Sequence, residues 1–329
     1  MALGSRIAGT GSYVPAKVLT NFDLEGLVDT SDAWITERTG IKERRIAADD
    51  ETTSDMALHA SRNALAAAGL SPNELDMIVL GTVTPDQQLP ACAAYLQQKL
   101  GVTRIPAFDI AAACAGFIYG LSIADQFIRT GMHRHVLVVG AELLSRVTNW
   151  EDRNTCVLFG DGAGAVVVSA IDDDVGGRLL SSKLHTDSTL TESLCIPAGG
   201  VREPTTPEGL AQHRNKVAMI GGDIFKIAVK NLTSASRSAI EEAGISADDV
   251  DWVVPHQANM RIITQVSARL GIPLDRFILN IDRFGNTSSA SIPLALDEGV
   301  RDGRVKSGQT VLMCALGAGI SWGSALVRL

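Results

Sequence analysis

The chain repeats itself, and the repeat narrows the folds open to it. Leu65–Val79 reads LAAAGLSPNELDMIV and Ile240–Val254 reads IEEAGISADDVDWVV. Ala68/Ala243, Gly69/Gly244, Ser71/Ser246, Asp76/Asp251 and Val79/Val254 match without a gap. Both stretches read as a helix end, a glycine stop, a Ser-led turn and an apolar strand. Further on, Lys99–Val102 (KLGV) matches Arg269–Ile272 (RLGI), and Val136–Gly140 (VLVVG) matches Val311–Ala315 (VLMCA). A single match of this kind is common, but three in the same order indicate duplication. The expected division is residues 1–175 and residues 176–329, each half folding on one plan.

Within each half, apolar strands alternate with amphipathic helices, which predicts an α/β fold with a mostly parallel sheet. Ala107–Ile110 reads as a strand, and residues 115–130 as a helix with Phe117, Leu121, Ala124 and Ile128 on one face and Gly131 as its stop. Phe277–Ile281 reads as a strand of the second half. Residues 180–222, rich in Thr, Ser, Pro and Gly, read as an inserted loop region, either near a substrate entrance or on the plain surface.

With 46% hydrophobic and 20% charged residues, the 329-residue chain has the composition of a folded globular protein. The net charge of −8 argues against nucleic acid as a partner. Five cysteines, with no CxxC pair and no Cys/His cluster, fit neither a disulfide framework nor a zinc site. No stretch approaches the roughly 20 apolar residues of a membrane span. Nor does the start show the basic and apolar regions of a signal peptide. The expectation is a cytoplasmic protein without a membrane partner.

Cys114 lies in Asp109–Phe117 (DIAAACAGF), between a strand and a helix. Small neighbours permit a sharp turn and close approach to the sulfur. A helix N-terminus carries unpaired N–H groups and partial positive charge, which predicts a lowered thiol pKa and a nucleophilic cysteine. Cys92, Cys156, Cys195 and Cys314 have no such setting and read as inert. His256 ends the apolar run Asp251–Pro255, at the carboxyl end of a strand, where open α/β sheets place their sites. Polar Gln257 and Asn259 follow it. Asn286, in Phe284–Ser291 (FGNTSSAS), is a second strand-end residue, although turn or cap chemistry alone would also account for it. Leu316–Gly323 (LGAGISWG) can aim a backbone N–H at a developing oxyanion, or can be a tight-packing turn.

Two other motifs read as structural. Phe159–Ala165 (FGDGAGA) lacks the Lys-Ser/Thr of a phosphate loop and leads into a strand. His133 and His135 have no further ligands nearby in sequence.

These residues resemble those of the thiolase-like condensing enzymes, and among them the 3-oxoacyl-[acyl-carrier-protein] synthase III family, which initiates bacterial fatty acid synthesis. The similarity runs from Ile7–Pro15 to the last strand, with Thr30–Ile41 (TSDAWITERTGI), AACAGF around Cys114, PHQANMRI around His256 and GNTSSAS around Asn286. It implies a duplicated five-layered α-β-α-β-α fold and a homodimer. It implies that Cys114 takes an acyl group from acyl-CoA, and that malonyl-acyl carrier protein then loses CO2. His256 and Asn286 would stabilise the enolate, which attacks the acyl-Cys114 thioester. The N–H groups of Cys114 and Ala318 would hold the oxyanion. No cofactor and no metal is implied, since acyl-CoA and malonyl-acyl carrier protein are substrates.

The resemblance also assigns CoA contacts to Trp34, Arg38, Arg153, Gly221, Phe225 and Asn259, and acyl carrier protein contacts to Lys226 and Arg261. An aromatic face and a guanidinium both stack on adenine. A local basic patch suits an acidic carrier on a −8 protein, because steering needs local sign. Leu89 and Leu316 stand where many relatives carry Phe at the acyl pocket. Acyl groups longer than acetyl are therefore expected. Two rivals share the order Cys, His, Asn: papain-like hydrolases, whose duplication-free pattern does not match, and specialised relatives making polyketide starters, quinolones or other acyl products.

Overall fold

The computed structural model describes residues 4–171, 177–219 and 223–329. Two mixed sheets carry the repeat. The first orders its strands Gly4–Tyr13, Gly162–Ile171, His135–Glu142, Met77–Gly81, Ala107–Ile110. The second orders them Arg178–Thr186, Ser321–Arg328, Thr310–Gly317, Trp252–Pro255. In each sheet the first three strands pair antiparallel, and the strands after them pair in parallel. The fifth place of the second sheet is held by a single bridge, Val253 to Phe277.

Local chemistry explains why the matched segments fold alike. Gly69 and Gly244 both end their helices at positive φ, 68° and 69°, where a side chain would be strained. Ser71 with Glu74, and Ser246 with Asp249, form the same capping box. Asp76 accepts from the N–H groups of Arg134 and His135, and Asp251 accepts from that of Thr310, so each ties its strand start to the neighbouring strand. The offset that takes Val136 to Val311 also takes Gly81 to His256, Ala113 to Ser288 and Cys114 to Ser289.

The layers follow from the apolar faces. Helix Thr53–Ala68 covers the outer face of the first sheet and helix Asp223–Glu242 that of the second. Helices Gly116–Arg129 and Ser291–Arg301 lie between the sheets. Phe117, Leu121, Ala124 and Ile128 are buried there, with Ile292, Leu296, Val138 and Met313. Full burial of a side chain such as Phe117 contributes about 1.5–3 kcal/mol. The stack is α-β-α-β-α, in agreement with the expected fold class.

Three sequence expectations need correction. The sheets are mixed rather than mostly parallel, because strands Gly162–Ile171 and Ser321–Arg328 each run antiparallel to both neighbours. Residues 180–186 are not loop but part of the edge strand Arg178–Thr186 of the second sheet, paired with Ser321–Arg328. Its polar residues Ser181, Ser182 and Lys183 mask the strand signal. Phe277–Ile281 is not a strand: Phe277 makes the lone bridge and Ile281 already begins a short helix, Ile281–Phe284. The expected division between residues 175 and 176 falls outside the described residues.

Candidate active site

Both central helices are entered through the same unusual turn. A short 3-10 turn, Ala113–Ala115, precedes helix Gly116–Arg129, and another, Ser288–Ala290, precedes helix Ser291–Arg301. Ala113 and Ser288 both take positive φ, 45° and 48°, a conformation that costs a non-glycine residue energy. The turn places Cys114 past the end of strand Ala107–Ile110, on the wall of a cavity. Gly317 is required opposite it, because a Cβ there would lie 2.5 Å from the Cys114 nitrogen.

That cavity, of about 320 Å³, is lined by Cys114, His256, Asn286 and Leu316, and by Trp34, Arg38, Arg153, Phe225, Asn259 and Arg261. Residues scattered across the sequence thus share one space. A smaller, mostly apolar cavity of about 260 Å³ adjoins it at Cys114 and also contains Ala318, Leu144, Leu194, Ile196 and Val217. Part of the segment read as an inserted loop therefore walls this second cavity. Sequence patterning does not single out Leu144, Leu194, Ile196 and Val217, because they belong to no common periodic run.

His256 follows strand Trp252–Pro255, with its backbone N–H bound to the Cys314 carbonyl at 2.8 Å. Its Nδ1 lies 2.7 Å from Ser291 Oγ, which also accepts from the Gln257 N–H at 3.3 Å. With the Ser291 hydroxyl donating to Nδ1, the ring proton sits on Nε2, the tautomer that offers a donor to the cavity. Burial pushes the imidazole down to about 3, so it is neutral. Gln257 braces the strand end, its amide bonding the backbone of Pro255, Ile278 and Asn280. Ser291 is not recognisable in the sequence, where it is one of several serines.

Asn286 is fixed from both sides. Its N–H donates to the Leu158 carbonyl and its own carbonyl accepts from Gly160. Its Oδ1 accepts from the Ser288 N–H at 2.9 Å, so Nδ2 is the donor left for the cavity. The turn chemistry expected of Asn286 and its place in the site are therefore both present in one side chain.

The thiol differs from expectation. Cys114 is buried, and burial pushes its thiol up to about 12; a Ser288 hydrogen bond opposes this and Glu142 adds to it. The helix proper starts at Gly116, two residues on, and desolvation is the largest influence on the thiol. The resting group is a thiol, not a thiolate.

The outer residues are arranged by stacking. The Arg153 guanidinium lies 4.9 Å and that of Arg38 5.4 Å from the centre of the Trp34 ring. Arg261 lies 5.6 Å from the Phe225 ring. Asn259 caps helix Met260–Leu270 through Oδ1 and reaches the Arg38 carbonyl through Nδ2. Lys226 is exposed next to Phe225. Leu89 is 84% exposed and lines neither cavity. Gly221 lies outside the described residues. Among the described residues, no cluster of three or more His, Cys, Asp or Glu is placed to hold a metal ion, and no helix is long and apolar enough to cross a membrane.

Comparison with known proteins matches this arrangement to one family. Residues 108–188 match the family model described as 3-oxoacyl-[acyl-carrier-protein (ACP)] synthase III, and residues 240–329 its C-terminal counterpart. The beta-ketoacyl-[acyl-carrier-protein] synthase III of Xanthomonas campestris pv. campestris is 53% identical over 98% of both chains. That of Caldanaerobacter subterraneus subsp. tengcongensis is 50% identical over 99% of this chain and 98% of its own. The crystal structure of 3-oxoacyl-[acyl-carrier-protein] synthase III from Aquifex aeolicus VF5 superposes with a TM-score of 0.91 at 47% identity, covering 99% of this chain and 100% of that one. A duplicated fold with a buried cysteine, a neutral histidine and an oriented asparagine on one cavity thus belongs to a condensing acyltransferase: the chain is a member of the 3-oxoacyl-[acyl-carrier-protein] synthase III family.

Proposed function

We propose that the chain joins a short acyl-CoA primer to malonyl-acyl carrier protein by decarboxylative Claisen condensation, with Cys114 as the acyl carrier. The observation that supports this most strongly is that Cys114, the neutral His256 and the free Asn286 amide donor line one cavity.

The first half-reaction is proton-neutral. The Cys114 thiol attacks the acyl-CoA carbonyl, the C–S bond to CoA breaks, and the thiol proton leaves with CoA. A thiol held near 12 is compatible with this, because its proton departs as the new bond forms. The N–H groups of Cys114 and Ala318 serve the tetrahedral oxyanion. In the second half-reaction, malonyl-acyl carrier protein loses CO2. The electron pair of the broken C–C bond passes to an enolate whose oxygen accepts hydrogen bonds from His256 Nε2 and Asn286 Nδ2. Two neutral donors suit this role, since neither readily gives a proton to the carbanion. The enolate carbon attacks the acyl-Cys114 carbonyl, 3-oxoacyl-acyl carrier protein forms, and the expelled sulfur takes up one proton.

Trp34 with Arg38 and Arg153 suits the CoA adenine, and Phe225, Asn259 and Gly221 the pantetheine arm. Lys226 and Arg261, with exposed Lys230, Arg237 and Arg269 on the same helix pair, give an otherwise acidic protein a basic face for the carrier protein. The two halves, residues 1–175 and 176–329, divide the work: one carries the nucleophile, the other the enolate donors. In a homodimer, the exposed Leu89 would meet the partner's acyl cavity, and with Leu316 it would admit primers longer than acetyl.

Assay of acetyl-, butyryl- and isobutyryl-CoA with malonyl-acyl carrier protein tests the reading. The expected result is CO2 and one 3-oxoacyl product per CoA released, with the longer primers used. Free acid as the main product would show a hydrolase, and strong preference for acetyl would remove the role given to Leu89.

A further inference from the structure

Beneath the turn that carries Ser288 and Ser289 lies a carboxyl group that the condensation mechanism does not use. Glu142, at the end of strand His135–Glu142, is fully buried. Its Oε2 accepts from the Val83 N–H at 3.1 Å and from the hydroxyls of Thr84 at 2.7 Å and Thr82 at 3.3 Å. Its hydrogen-bond partners are all neutral groups.

The other oxygen poses a counting problem. Oε1 lies 3.0 Å from Ser288 Oγ and 3.0 Å from Ser289 Oγ, and Ser289 Oγ lies 2.7 Å from the Gly81 carbonyl oxygen. Three close oxygen–oxygen contacts need three hydrogens, and two hydroxyls supply two. The Gly81 carbonyl has none to give, so the Ser289 hydrogen fills the shortest contact. A hydrogen on Oε1 then completes the set, donated to Ser289 Oγ. Desolvation raises the Glu142 pKa in the same direction.

From this geometry we infer that Glu142 is a positioning residue held as an uncharged carboxylic acid, whose proton locks Ser289 and leaves the Ser288 hydroxyl free to turn from Glu142 to the Cys114 sulfur. Ser288 and Cys114 line the same smaller cavity, so the sulfur is within reach of that rotation. When the sulfur gains negative charge, the hydroxyl rotates toward it. No proton changes owner. An ionised Glu142 would instead hold both serine hydroxyls and place a negative charge beside the sulfur, opposing it twice. The same turn donates the Ser288 N–H that orients Asn286, so Glu142 acts on both halves of the site.

This role for Glu142 rests on Cys114 as the nucleophile, but its test is separable. Infrared difference spectra of wild type against Glu142→Gln at neutral pH should show a protonated-carboxyl C=O band lost in the variant, whatever reaction the protein performs. A carboxylate doublet in its place would overturn the inference. Kinetics supply the second arm. Glu142→Ala should slow both iodoacetamide alkylation of Cys114 and acyl transfer by about tenfold or more, and Glu142→Gln, an uncharged isostere, should restore them to within about threefold of wild type. A Glu142→Gln protein that fails to fold, or that folds with about a hundredfold loss, would show that the carboxylate itself is needed. Ser288→Ala should slow alkylation several-fold at fixed pH while Ser289→Ala slows it less; the reverse order would also count against the inference.

Discussion

The turns Ala113–Cys114 and Ser288–Ser289 occupy equivalent places in the two halves, yet they face opposite surroundings. Cys114 looks onto two cavities, and the residue across from its turn is Gly317. Ser289 is sealed, and the equivalent residue across from it is Glu142, whose carboxyl fills the space. Both turns carry the same positive-φ strain. The duplicated backbone therefore supplies two equivalent turn positions, and side chains open one to the cavities and close the other. The fold alone does not make the site; a glycine that leaves room beside a cysteine does.

The largest effect expected from breaking this asymmetry is at the nucleophile. Cys114→Ala should lower condensation by about a thousandfold or more, on the order seen when an activated nucleophile is removed. Cys92, Cys156 and Cys314 should not take its place as acyl carriers. All three are buried, none lines either cavity, and burial pushes each thiol upward, those of Cys156 and Cys314 to about 11. Next, His256→Ala and Asn286→Ala should each lower condensation by about 10²–10³-fold while leaving the acyl-Cys114 intermediate able to form. Filling the open side comes third. Gly317→Ala would bring a Cβ against the Cys114 backbone, with an expected loss of about 1–3 kcal/mol in stability and a displaced nucleophile. Emptying the closed side is smaller for catalysis: Ser289→Ala leaves the Gly81 carbonyl without its partner, with a cost of about 1–3 kcal/mol read as a lower melting temperature.

The subtlest expectation concerns pH. With the thiol near 12, alkylation of Cys114 should keep rising with pH well past the ordinary thiol range of about 8.5 and show no plateau there. His256 should show no titration near 6.5 when the folded protein is followed by NMR. Its linkage has a definite sign. The unfolded chain takes up a proton at His256 as pH falls through 6.5, and the folded chain does not until about 3, so this residue makes the fold progressively less stable as pH falls across that window.

Much of this asymmetry lies below what sequence patterning detects. The repeat is legible because its signals are local: a glycine stop, a Ser-led capping box and an aspartate at the strand start recur at matched positions. Cys114 and His256 stand out because each follows a strand; Asn286 is expected at a strand end too, but the run before it, Phe277–Ile281, forms no strand. Glu142 does not stand out, since a single acid after VLVVGA looks like the exposed end of a strand. Strand Arg178–Thr186 is hidden because serines occupy its middle, one of them bonding the Ala239 carbonyl from the buried face. Phe277–Ile281 has strand composition, but only one bridge forms before the chain turns into a helix. The thiol pKa departs from its sequence expectation because sequence reveals the adjacent helix and not the depth of burial, and burial is the larger effect.

If one turn carries the acyl group and the other half consumes it, the two steps can be caught in turn. Peptide mass spectrometry after exposure to acyl-CoA alone, and again after addition of malonyl-acyl carrier protein, separates them. The expected result is one acyl adduct on the Cys114 peptide, discharged by the second substrate in wild type and retained in Asn286→Ala. An adduct on another residue, or steady hydrolysis with none on Cys114, would contradict this division of labour.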